Sequence, residues 1–226
     1  MPVHIPDDTD FATFKEQCES QDGWTARYNK GGVTVWCRDE ETTTVQKLKM
    51  KIVCKDVRAE TLYDVLHDTS YRKKWDTNMI DTFDIGKLTV NADVGYYSWR
   101  CPSPLKNRDF VTMRSWLPLG NDYLIINHSV KHPQYPPKKD YVRAVSLLTG
   151  YLIQSNGTNA CTLYYLTQVD PRGLLLTRYL VACHLPQHSI NTNMVAGALT
   201  WLWMESWYCL SGTAALLEFF TQVGSE

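Results

Sequence analysis

At 226 residues, 44% of them hydrophobic, the chain has the size and apolar content of one domain that can bury a core and a cavity. Its 23 basic against 24 acidic residues leave a formal net charge of −1, which excludes the broad basic field of a nucleic-acid-binding domain. The seven cysteines are widely spaced, with no Cys-x-x-Cys pair; they point to reduced, buried thiols rather than a disulfide framework or a zinc site. With no basic patch and apolar run of a secretory signal at the N-terminus, the expectation is a cytosolic protein.

Thr9 or Asp10 is positioned to cap a helix that carries Phe11, Phe14 and Cys18 at three- and four-residue spacing. Trp24 to Asn29 and Val33 to Arg38 are β-prone runs around Lys30-Gly31-Gly32, which predicts a hairpin. From Gln46 to Lys55, lysines alternate with Leu48, Met50 and Ile52, the pattern of a third strand with one wet face. Ala59 to Asp68 puts Leu62, Val65 and Leu66 on one helical face, and a second helical turn covers Tyr71 to Asp76.

Beyond Ile80 the pattern is almost wholly β. Strands are predicted at Asp81 to Leu88, Asp93 to Arg100, Asp109 to Leu117, Asp122 to Val130, Val142 to Gln154 and Ala160 to Gln168, separated by Pro, Gly and Asn turns. Helix, three strands, helices and six strands make an α+β fold with one large antiparallel sheet. The whole chain, 1–226, reads as a single domain.

The chemistry concentrates between Tyr71 and Arg114. Arg72 and Asp76 are four residues apart, so on a helix they share a face and can pair. A guanidinium held by a carboxylate offers a planar fork of donors that matches phosphate oxygens. Taken alone, such a pair at a helix end is more often solvated and contributes only tenths of a kcal/mol. Period-two alternation puts Gly95, Tyr97 and Trp99 on one face of their strand. Tyr97 and Phe110 offer ring faces to a cation, although most strand aromatics are core or cross-strand packing. A phosphate beside an amine describes a phospholipid head group. His67, His128 and His132 are read as structural histidines rather than metal ligands, and the chain has no Gly-x-Ser-x-Gly elbow or phosphate loop. Neither a metal, a cofactor nor an enzyme activity is expected.

Tyr71-Arg-Lys-Lys-Trp-Asp76, the strand Asp93 to Trp99 and Pro102-Ser-Pro-Leu-Lys-Asn-Arg-Asp109 resemble the StAR-related lipid transfer (START) family, in particular its phosphatidylcholine-transfer branch. The likeness covers Ile5 to Gly173. It implies a helix-grip fold, in which a long C-terminal helix closes a lipid tunnel over a curved sheet. It also implies that Arg72 and Asp76 lie inside that tunnel and that Tyr97 and Phe110 are head-group contacts. Leu147 falls where an aromatic would complete a three-ring cage for choline, so a mixed choline and ethanolamine preference is expected.

After Gly173 the sequence departs from the family pattern. Beyond Arg178 there is no lysine or arginine, and Trp201, Trp203 and Trp207 cluster in an apolar run. This tail, 174–226, is read first as an altered covering helix, then as a sticky tail, and last as a membrane span, because Glu205 near its centre costs roughly 3 kcal/mol in a bilayer. The expected function is a monomeric cytoplasmic carrier of one phosphatidylcholine or phosphatidylethanolamine, with transient peripheral contact with membranes and no nucleic-acid partner. The rivals are a helix-grip enzyme acting on a bound hydrophobic ligand and a transfer-deficient, membrane-associated isoform.

Overall fold

The computed structural model describes residues 4–76, 78–101 and 105–172. The expected closing stretch 174–226, and with it the closing helix or span, lies outside them. Helix α1 (Asp8–Glu19) starts two or three residues earlier than a cap at Thr9 or Asp10 would set it. Asp7 is the cap: its carboxylate accepts from the backbone N–H of Thr9 at 2.9 Å and Asp10 at 3.1 Å, and Asp10 accepts from the Asp7 N–H at 3.0 Å. Asp10 is thus the far half of a reciprocal capping box, not its start.

Strands β1 (Thr25–Lys30), β2 (Val33–Glu40) and β3 (Thr43–Cys54) follow as a meander. Gly31 and Gly32 take the positive φ values, 63° and 79°, that the first hairpin requires. Helices α2 (Ala59–His67) and α3 (Arg72–Trp75) interrupt the strands. Then come β4 (Met79–Thr89), β5 (Ala92–Trp99), β6 (Arg108–Leu119), β7 (Asp122–Ser129), β8 (Val142–Arg143), β9 (Val145–Ser155) and β10 (Cys161–Asp170).

The sheet order is β1-β2-β3-β10-β9-β7-β6-β5-β4, with β8 beside β6. One correction concerns the single strand expected over Val142 to Gln154. The chain breaks at Ala144, and β8 pairs parallel with β6, so the sheet is not purely antiparallel. The cause is tertiary. Val142 and Ala144 donate their N–H groups to the carbonyls of Asn107 and Asp109 at 2.9 and 3.1 Å. The Arg143 guanidinium forks onto the buried Asp109 carboxylate with both contacts at 2.9 Å, which holds this short piece on β6 before β9 crosses to β7.

Alternation then assigns the two faces. Ile125, Ile153, Leu163, Tyr165, Met50 and Ile52 pack under Ala59, Leu62 and Leu66 of α2 and Trp75 of α3. Leu124, Ile126, Leu152 and Leu166 point the other way and pack against Phe11, Phe14 and Cys18 of α1. Each fully buried phenylalanine contributes roughly 1.5–3 kcal/mol from leaving water. Register shifts in the β1–β2, β2–β3, β4–β5 and β9–β10 pairs are bulges that bend the sheet. Among the described residues, no helix is long and apolar enough to cross a membrane.

Candidate functional site

The loop after α2 aims the site. The Asp68 carboxylate accepts from the N–H groups of Ser70 at 2.8 Å and Tyr71 at 3.0 Å, an aspartate turn that starts α3. Trp75, 3% exposed, anchors α3 in the core beneath α2. Lys73 and Lys74 are left at the surface, and Arg72 points over the sheet towards Tyr97.

Arg72 Nε and Nη2 both lie 3.4 Å from Asp76 Oδ2. That distance is long for a charge-assisted bond, so the pair is slack. Asp76 is 1% exposed. Its other oxygen, Oδ1, accepts from Trp99 Nε1 at 3.3 Å and from the Asn78 N–H at 3.2 Å. Burial opposes the Arg72 charge, but the Asp76 carboxylate first, and then the acidic hydroxyls of Tyr151, Tyr97 and Tyr165, outweigh it and raise its pKa. The guanidinium therefore remains a cation inside the fold, loosely partnered by a carboxylate that has other donors.

Tyr97 and Phe110 are direct cross-strand partners. Their rings stack with centroids 4.6 Å apart and planes 13° apart. The Arg72 guanidinium sits 5.1 Å from the Tyr97 centroid, so the cation that Tyr97 already carries belongs to the protein. Arg72, Tyr97 and Phe110 all line one cavity of about 80 Å³, roofed by α2 and α3 and floored by strands β4, β5, β6, β7, β9 and β10. At ~10–15 Å³ per water position, the cavity accommodates several waters or a small polar group.

Leu147 is not brought into this group. It is the extra residue of a bulge in β9, lying between Ser146, which pairs with Val169, and Leu148, which pairs with Gln168. Ser146 takes the inward place instead, with its hydroxyl 2.9 Å from that of the cavity residue Thr149. The bulge reverses the alternation at this point, and Leu147 is 44% exposed. It does not line the cavity.

The structure adds polar residues that were not singled out from sequence. Asp93, Arg114, Asn127, Thr149 and Thr167 form a row across five adjacent strands. Arg114 forks onto Asp93 at 2.6 and 3.2 Å and donates to the His67 carbonyl at 2.7 Å. Asp93 shares the alternation of Gly95 and Tyr97, a signal available in the sequence. Its link to Arg114 depends on strand pairing and was not. At the other end of the strands, Arg108 donates to the carbonyls of Lys106, Pro171 and Arg172. It ties the loop before β6, of which 102–104 lie outside the described residues, to the end of β10. His67 packs edge-on against Trp116 at 4.5 Å, and no cluster of three or more candidate metal ligands occurs among the described residues.

Comparison with known proteins places this geometry. The START domain model matches residues 5–202. The chain belongs to the START family. The family match continues past Gly173, where the resemblance read from motifs ends. START domain-containing protein 10 of Mus musculus is 63% identical over 174 residues, covering 76% of this chain and 60% of that protein; the Homo sapiens protein of that name matches over the same shares. The chain thus spans about 60% of the length of these curated relatives. Phosphatidylcholine transfer protein of Rattus norvegicus is 26% identical, over 66% of this chain and 71% of that protein. The crystal structure of human STARD10 superposes with a TM-score of 0.76 at 52% identity, covering 95% of this chain and 81% of that one. The sheet gripped by helices is the START helix-grip fold.

Proposed function

We propose that this START domain binds one phospholipid, phosphatidylethanolamine or phosphatidylcholine, and carries it between membranes, with Arg72 receiving the phosphate. What carries it is the slack Arg72–Asp76 pair, 3.4 Å apart, whose arginine lines a cavity walled by aromatic rings. A guanidinium drawn partly out of water needs an anion. Asp76 serves while the cavity is empty of lipid, and a phosphate with several oxygens offers a better match to the fork. The names of the phosphatidylcholine transfer relatives point to the same chemistry.

No bond is made or broken in this reading. At about 80 Å³ the cavity suits a head group rather than two acyl chains, so loading requires the groove to open. Burial of the chains, at ~0.8 kcal/mol per methylene, then supplies most of the affinity, and the polar cavity supplies the choice of head group.

Transfer of labelled phospholipid from donor to acceptor vesicles tests this. The full chain is expected to accelerate transfer, and Arg72→Gln to lower the rate at least tenfold with the far-UV circular dichroism unchanged. Equal rates for the two proteins would overturn the phosphate assignment.

A further inference from the structure

We propose that the cavity selects a phosphate that carries a primary ammonium group, Trp75 donating to the phosphate and the Asn127 side-chain carbonyl accepting from the ammonium, so that phosphatidylethanolamine is preferred to phosphatidylcholine. The inference rests on the phospholipid reading of the same site and names the head group.

Among the described residues, Trp75 Nε1 and Asn127 Oδ1 are buried polar atoms without a partner that belong to cavity-lining side chains. They are opposite in character, one a donor and the other an acceptor. Leaving such a group unpaired in the interior is costly, and the cost is relieved by a ligand that supplies both complements. Trp75 lies three residues from Arg72 on α3, and the Arg72 guanidinium is 5.7 Å from its ring centroid. A donor and a cation therefore stand together, as a phosphate requires.

Asn127 stands in the polar row opposite, paired in register with Arg114 on one side and Thr149 on the other. Neither neighbour is positioned to serve it. Arg114 is committed to Asp93 and the His67 carbonyl, and the Thr149 hydroxyl lies 2.9 and 3.1 Å from those of Ser146 and Thr167. An ammonium N–H satisfies the open carbonyl; a trimethylammonium has no N–H to give. The rings that would cage a quaternary cation are stacked on each other, and Tyr97 already carries Arg72.

The test uses the full chain and vesicles of phosphatidylethanolamine, its N-methyl and N,N-dimethyl derivatives, and phosphatidylcholine, all with the same acyl chains, with bound lipid counted by native mass spectrometry. The first three retain an N–H and are expected to bind alike, with phosphatidylcholine about tenfold weaker, the size of one hydrogen bond to a charged group. In Asn127→Leu the three N–H-bearing lipids are expected to fall to the level of phosphatidylcholine. Wild-type binding that is equal across the series, or a step that persists in Asn127→Leu while all four lipids fall together, would overturn the inference and leave the carrier reading standing. Failure of the wild type to bind any of the four would overturn both. Free phosphoethanolamine, added as competitor, is expected to displace lipid only at far higher concentration; displacement at equal concentration would assign the site to the soluble ester and overturn the lipid preference.

Discussion

Arg72 is held by Asp76 at 3.4 Å and by the Tyr97 ring at 5.1 Å, partners that keep it charged without holding it tightly. Replacing it with glutamine removes the fork, while Asp76 keeps its bonds from Trp99 and Asn78. The expected cost in stability is therefore only about 1 kcal/mol, measured by urea unfolding, against at least a tenfold loss of bound lipid. Leu147 gives the opposite expectation. Because the bulge turns it outward, Leu147→Tyr should leave the ratio of ethanolamine to choline lipid bound unchanged within about twofold, and a shift towards choline would show that the site extends to β9's outer side. Lys49 offers a pH test. It is 2% exposed, donates to the carbonyls of Gln17 and Ser20, and lies 4.2 Å from the Trp24 centroid. Burial pushes its pKa from the ordinary 10.5 down to about 8. Below pH 8 the amine is protonated in both states. Between pH 8 and 10.5 the unfolded chain keeps a proton that the folded chain has lost, so this residue's contribution to stability rises with pH across that window. Urea unfolding at pH 7.5 and 9.5 should show wild type gaining on Lys49→Met; parallel behaviour would contradict the assignment.

Among the elements, α1 and the sheet meet most tightly where Phe14 crosses Gly150. A Cβ on Gly150 would stand 2.5 Å from the Ile125 carbonyl oxygen and 2.6 Å from the Phe14 ring. Gly150→Ala should therefore cost about 1–3 kcal/mol in urea unfolding, because the strand carbonyl cannot retreat as a flexible side chain can. Apolar spacing and turn residues made most of these elements legible in the sequence. Phe11, Phe14 and Cys18 predicted the buried face of α1, and the alternation about Lys47, Lys49 and Lys51 predicted β3. That alternation did not reveal that Lys49 points into the protein. Two breaks were also invisible, at Ala144 and at Leu147. Each is imposed by a partner far along the chain, Asp109 in the first case and the Gln168–Val169 step in the second. Local propensity carries no record of a hydrogen bond made by another strand.

On the scale of the whole molecule, the sheet separates two jobs. One face carries α1 over an apolar core, and the other carries α2, α3 and the cavity that Arg72 lines. The Arg72–Asp76 spacing of four residues made one wall of that candidate site legible, through Arg72. Another wall, the row from Asp93 through Arg114 and Asn127 to Thr167, is assembled from five strands and becomes a unit only once their register is known. Native mass spectrometry of the full chain after incubation with mixed phospholipid vesicles tests the proposal that this cavity holds the head group of one phospholipid at Arg72. A single added mass of one intact phospholipid per chain is expected in wild type, and its loss in Arg72→Gln; a wild-type chain that emerges without lipid, or an Arg72→Gln chain that retains the same occupancy, would overturn the proposal.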